Sequence, residues 1–413
     1  MHSAHTKIAL ASIPRAGLWA RMSHPDSHDI TPALTLLMAV GCGMMVANIY
    51  YAQTLIDTIA PAIGMSPWAA GAIVTLTQLG YGLGLALIVP LSDLFENRRL
   101  TLIATAGTVI GCIGVALSQN APLFLAASLV MGICSVGAQI LVPLAAHLSS
   151  HARQGRTIGL VMSGLLTGIM LARPIASFVA EIAGWRAVFF VSAGMMTAIG
   201  LTLALWLPER RPETRLGYGA ILASMFEMVR THRALRLRAA YQSLLFAAFN
   251  LFWTAAPLAL IHRFHFSHGQ VGLFALAGAG GALAAPIAGQ LADKGKMRAT
   301  TLFALALVTL SFLAAGWAVA LGSVIAFTVT AVLIDAGVQL NQISGQRIIF
   351  GLSSEARGRI NAAYLTIMFV VGASGSLIGS AAYQYGGWTL AASIGAGMGA
   401  VLLLLFMLFD RKA

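Results

Sequence analysis

Arg173 and Asp335 are the two side chains of this chain placed to do unusual chemistry, because each sits inside a run of apolar residues. Arg173 lies within Thr157–Ala180, and Asp335 lies within Ser323–Leu340. An ionised side chain at the centre of a bilayer costs about 2.5–3.5 kcal/mol on insertion scales. Keeping one of each sign there implies use. Asp335, Gln339 and Gln342 are spaced i, i+4 and i+7, which puts them on one helical face. An acid at mid-membrane depth is a candidate to take up and release a proton. A structural acid bonded to its neighbours, or a direct substrate contact, are the competing readings for Asp335. Arg173 precedes Pro174, so it could also bond backbone carbonyls that the proline leaves free.

The elements that must carry these residues are apolar helices. The chain has 413 residues, 58% hydrophobic and 9% charged, with mean hydropathy +0.84. Soluble domains carry about 25% charge. A spanning helix needs about 20 apolar residues. Twelve segments qualify: 33–56, 67–91, 100–118, 122–146, 157–180, 187–207, 239–261, 269–291, 299–318, 322–346, 360–384 and 388–409. The expected fold is an all-α membrane protein of twelve transmembrane helices in two pseudo-symmetric six-helix bundles.

The net charge of +12 is a topology signal here, and nucleic acid is not an expected partner. With the N-terminus inside, the inner loops and tails hold nearly every Lys and Arg, and the outer loops hold only Arg186 and Arg263. This asymmetry places both termini in the cytoplasm. The three cysteines all fall in apolar segments and read as packing residues. No secretory leader is expected in residues 1–31, since the first long apolar run lacks a small-residue cleavage site.

The chain repeats itself. Leu91-Ser92-Asp93 recurs as Leu291-Ala292-Asp293, and Gly80 and Gly280 stand at the same offset before each aspartate. Gly155-Arg156 precedes Trp185 by the same interval that separates Gly358-Arg359 from Trp388. The expected organisation is a polar tail (1–32), a first bundle (33–207), a basic linker (208–238) and a second bundle (239–413). Repeated halves around a midplane site suit alternating-access carriers. Within the linker, Leu222, Phe226 and Val229 suggest a short amphipathic helix on the inner leaflet.

These residues resemble the major facilitator superfamily. Gly289-Gln290-Leu291-Ala292-Asp293-Lys294-Gly295-Lys296 matches its loop motif between helices two and three. The first copy, Val89 to Arg99, keeps Asp93, Arg98 and Arg99 but loses both glycines. Ala47–Gln53, Thr77–Gly84 and Gly164–Pro174 look like bacterial proton-coupled drug or metabolite efflux carriers of that superfamily. Helix five resembles the antiporter motif, with Arg173 in place of the glycine before Pro174. The helix-four arginine of many antiporters is absent; Ser128 stands at that count.

The resemblance implies a cytoplasmic latch. Asp93 would face the start of helix eleven near Arg359, and Asp293 the start of helix five near Arg156, with Arg98, Arg99, Gly289 and Lys294 completing the gate. It also implies that helices one, four, seven and ten line the cavity. Asn48 and Tyr51 share a helix face at a depth like that of Arg173, about 15 residues from the inner end, and are expected to meet it around a substrate. Gln53, Gln78, Tyr81, Asn250, Trp253, Gln339 and Gln342 complete the candidate cavity.

The reading is a secondary active transporter, with no cofactor, that exports a small drug-like or metabolite molecule in exchange for protons. It would act as a monomer in the bacterial inner membrane, the lipid bilayer being its other partner. A sugar or metabolite exporter, a uniporter and a substrate-gated sensor are the alternatives. One Asp and one Arg on separate halves do not supply an enzyme's paired acid and base. His262, His265 and His268 have metal-like spacing but no local carboxylate or cysteine, so no metal is expected.

Overall fold

Turn and cap residues between the apolar runs set where the helices begin. The computed structural model describes residues 30–150, 153–212, 216–278, 280, 281, 284–353 and 356–410; the side chains of residues 285, 286, 288, 292 and 293 fall outside this description. Thr31 accepts from the Leu34 amide at 3.2 Å and starts α1 (Pro32–Ala47), with Pro32 where a missing N–H costs nothing. Asn120 caps α5 (Ala121–Cys134) through the Leu123 amide, and Ser323 caps α14 (Val324–Phe350) through Ala326.

The first half contains α1, the short α2 (Ile56–Ala62), α3 (Ala72–Leu87), α4 (Asn97–Leu117), α5, α6 (Gly137–His147), α7 (Gln154–Ala183) and α8 (Trp185–Trp206). After a linker helix, α9 (Tyr218–Thr231), the second half contains α10 (Arg233–Phe264), α11 (His268–Gly278), α12 (Ala284–Asp293), α13 (Met297–Ala320), α14, α15 (Arg357–Gly372) and α16 (Ser374–Phe409). Among the described residues nine helical stretches are long and apolar enough to cross a membrane. The stretch Arg357–Phe409 makes two passes: it breaks at Gly386 and Gly387, the latter at φ 61°, which favours glycine. Tyr383 therefore bonds Leu258 while Asp410 returns to Arg238. The shorter α1, and α11 with α12, supply the remaining passes of a twelve-helix, two-bundle fold.

Small residues let the helices touch. A Cβ on Gly43 of α1 would strike the Gly164 carbonyl of α7, and one on Gly168 would strike Gly43. The halves meet in the same way. Gly82 of α3 packs on Phe369 and Val370, and the Thr75 hydroxyl donates to the Ala373 carbonyl at 2.8 Å. Gly71 N–H donates to Ser380 Oγ at 2.9 Å. Gly272 of α11 packs on Ser177 and Pro174 of α7.

Two expectations need correction. The first segment is not helical through residue 56: α1 ends at Ala47, and a turn and a 3₁₀ helix (Tyr51–Thr54) follow. The linker helix exists, and Leu222 and Val229 pack with the buried Met225 against Ala362 and Ala363 of α15, but Phe226 is 71% exposed and Ile221 is buried instead. Pro32 and Asp410 share one end of the bundle, called the tail face below; α9 lies there, with the Tyr218 hydroxyl on the Leu87 carbonyl of the first half.

Candidate functional site

The centre of the molecule is built around Arg173. Pro174 forbids the helical bond to Met170 and follows directly on the arginine. Arg173 is only 4% exposed. Its Nε donates to Gln53 Oε1 at 2.8 Å. Its guanidinium carbon lies 4.6 Å from the Trp253 ring centre, 5.0 Å from Tyr50 and 5.1 Å from Phe249. Such a box of ring faces suits a planar, weakly hydrated cation. The Nη2 atom is buried without a hydrogen-bond partner.

An amide ladder extends from Gln53. Asn250 Oδ1 accepts from Gln53 Nε2 at 3.2 Å and from Gln78 Nε2 at 2.9 Å. Its Nδ2 donates to Gln78 Oε1 at 2.7 Å and to the Gly372 carbonyl at 3.1 Å. Every donor and acceptor position of this buried amide is filled. Gln53 and Gln78 belong to the first half, Asn250 and Gly372 to the second, so the ladder ties the halves at their centre.

On the other side, Trp253 Nε1 donates to Asp335 Oδ1 at 2.8 Å. Asp335 is buried on α14 against Gly278 and Gly281, where a side chain would collide with it. Arg173 and Asp335 are not in direct contact. Trp253 touches both. Gln53, Gln78, Arg173, Asn250, Trp253 and Asp335 are thus brought into one network.

Other candidates lie elsewhere. Asn48 does not meet Arg173: its Oδ1 accepts from Ser192 at 2.6 Å and from the Cys112 thiol at 3.3 Å, inside the first half. Tyr51 turns to the bundle's flank, beside α7 and α8. The break after Ala47 causes both departures, because it brings Tyr50 and Gln53 round to the centre instead. Tyr81 is buried edge-on to Phe369 and accepts from Gln139 at 3.3 Å. Gln342 accepts from Gln242 at 3.4 Å, and Asn341 donates to Gln242 at 2.7 Å, a second amide cluster. Gln339 is half-buried. Phe249, Gln242 and Asn341 are the residues sequence reasoning missed. Gln242, Phe246, Phe249 and Trp253 follow i, i+4, i+7, i+11, a stripe that would have found two of them.

At the tail face, Asp93 lies within electrostatic reach of Arg359, Arg210 and His147. Arg359 also donates to Ser224 of α9 at 2.9 Å. Arg98 and Arg99 do not cross between halves. Arg98 donates to the Ala204 carbonyl and sits 3.7 Å from Glu209, and Arg99 pairs with Glu96 at 2.9 Å. Arg156 is exposed at the end of α7, Lys294 is exposed and Gly289 is half-buried. The Asp293 side chain lies outside the described residues.

At the opposite face, His268 Nε2 stands 3.7 Å from Asp57 Oδ2. Burial pushes the Asp57 carboxyl above its ordinary range, with His268 and then His262 drawing it back. Glu181 accepts from the Gly269 amide and, at 3.4 Å, from Ser267. Two acids of the first half therefore hold the start of α11 in the second. His262 faces Tyr383, and among the described residues no three metal-binding side chains converge.

The Major Facilitator Superfamily model matches residues 35–249 and 238–413. The chain is 43% identical over 390 residues to the "Uncharacterized transporter YgaY" of Escherichia coli O157:H7, covering 93% of this chain and 97% of that protein. It is 30% identical to the "Probable transporter SCO4007" of Streptomyces coelicolor, covering 85% and 82%. A solved D-xylose-proton symporter aligns with TM-score 0.74 at 15% identity over 91% of this chain and 96% of that one. With twelve passes, two bundles and a polar centre shared between them, the chain belongs to the Major Facilitator Superfamily and is a multi-pass membrane transporter, not an enzyme.

Proposed function

We propose that this transporter works by alternating access and exports a small organic compound in exchange for protons, with Asp335 as the proton carrier. The carrying observation is the single connected path from Asp335 through Trp253 to Arg173 and on through Gln53 to Asn250, spanning both halves. A change of charge on Asp335 acts on Trp253, which lies against the Arg173 guanidinium. That guanidinium is bonded to the ladder that joins the halves. Transport needs an ion and a substrate that each distinguish the two states, and a carboxylate wired to the interface supplies that difference.

The site mixes three aromatic faces with amides, so it suits a compound with both a flat apolar part and polar groups. In this reading the tail face is cytoplasmic in a bacterial inner membrane, Asp93 and Arg359 latch that side, Asp57 and Glu181 hold the other, and one chain suffices. The chain divides into a first bundle (33–207) and a second (239–413) that rock against each other.

The test is reconstitution in liposomes with an imposed pH gradient. Wild-type protein should drive accumulation of a transported compound, chosen from a susceptibility panel of cells with and without the protein. Asp335→Asn should abolish gradient-driven accumulation while leaving counterflow exchange. Undiminished accumulation by that variant would reject Asp335 as carrier.

A further inference from the structure

A groove of about 520 Å³ runs along the flank of the first half between α1, α7 and α8. None of the central network lines it; among the described residues its walls all belong to the first bundle. Leu36, Val40, Leu160, Ile175, Val191 and Met195 are exposed along it. In a spanning protein such a face is covered by lipid. Its two ends differ. At the tail-face end stand the exposed Arg153 and Arg156, and among the described residues no Asp or Glu lines the groove. Gly43, Gly164 and Gly168 line its floor, where α1 and α7 meet backbone to backbone.

The lengths agree with one occupant. Arg156 to Gly168 is twelve residues of α7, about 18 Å of rise. One leaflet of the hydrocarbon core is about 15 Å deep. A cationic mouth at the headgroup level, opening on an apolar trough one leaflet long, matches an amphiphile with an anionic head. We infer that this groove is a binding site for an anionic glycerophospholipid, its phosphate held by Arg156 and Arg153 and one acyl chain lying over Gly164 toward Gly168. The site is separate from the substrate path and does not depend on the transport reading.

Trp fluorescence tests it. The full chain carrying Val40→Trp is reconstituted in phosphatidylcholine vesicles containing either brominated phosphatidylglycerol or brominated phosphatidylcholine. Quenching is taken as the increment over the parent protein, with Leu36→Trp as a second reporter. Brominated phosphatidylglycerol should quench at lower mole fraction, by about five-fold for each guanidinium. Arg153→Gln with Arg156→Gln should erase the preference, and the corresponding lysine pair should keep it. Equal quenching by both lipids in the parent overturns the proposal. So does the absence of quenching by either, which would mean that protein covers the groove. Loss of the preference on adding inorganic phosphate would also overturn it, by marking a site for small anions.

Discussion

Trp253 donates its indole N–H to the Asp335 carboxylate at 2.8 Å. The same ring lies 4.6 Å from the Arg173 guanidinium. One side chain thus serves two buried charges of opposite sign that do not pair directly. The arrangement avoids a closed ion pair, in which each charge would hold the other fixed. Trp253→Phe keeps an aromatic face but deletes the donor. A hydrogen bond to a charged group contributes about 1.5–3 kcal/mol, so thermal unfolding in detergent should register a loss of that size. A melting temperature unchanged from wild type would contradict the bond.

Arg173 is held by shape as well as charge. Three ring faces and one bond to Gln53 suit a planar guanidinium; a lysine ammonium is compact and strongly hydrated. Arg173→Lys should therefore behave nearly as badly as Arg173→Gln. Removing either central charge alone should cost more than removing both. A double-mutant cycle of Arg173→Gln with Asp335→Asn should show a coupling of about 0.5–3 kcal/mol in stability. Additivity within a few tenths would show that the two charges act independently.

Much of this was legible in the sequence, and the failures share a cause. Spans and the embedded Arg173 and Asp335 follow from solvation, which acts on each residue separately. For Asn250 and Trp253, nothing local distinguishes a bonded amide or indole from a lipid-facing one. Their roles depend on Gln53, Gln78 and Asp335, all remote in sequence. The assignment of Asn48 and Tyr51 to the centre assumed an unbroken helix through residue 56. The end of α1 at Ala47 is not marked by glycine or proline, so helical spacing was carried too far. His268 lacked a local carboxylate, and its partner Asp57 arrives from the other half.

The opposite face should respond to pH through Asp57. Its carboxyl is raised from the ordinary 3.8, first by burial. The folded protein therefore keeps a proton that the unfolded chain has released. That contribution is complete below pH 3.8 and is lost as pH rises through the folded value. Asp57→Asn stays neutral throughout. Its melting temperature should match wild type at the acid end and exceed it at pH 6 to 7. A difference that is constant across this range would place the titrating group elsewhere.

Arg238 and Asp410 close the second half at the tail face. Arg238 Nη2 meets Asp410 Oδ2 at 2.7 Å, Nη1 donates to Thr301 at 3.0 Å, and both side chains are 4% exposed. Sequence reading gave Arg238 to the linker as one more inner-side cation, yet it is inside α10 and fastens the last membrane pass to the first pass of its bundle. Breaking such a pair leaves one charge buried alone, at a cost of about 3–5 kcal/mol. Replacing both members with apolar residues removes the desolvation penalty along with the attraction. Arg238→Met alone should therefore lower stability severely, and adding Asp410→Leu should restore most of it. Protease accessibility of the C-terminal tail in detergent should follow the same order, high in the single variant and near wild type in the double. If the double variant is as unstable as the single, the pair contributes more than charge compensation, and its bond to Thr301 becomes the next group to change.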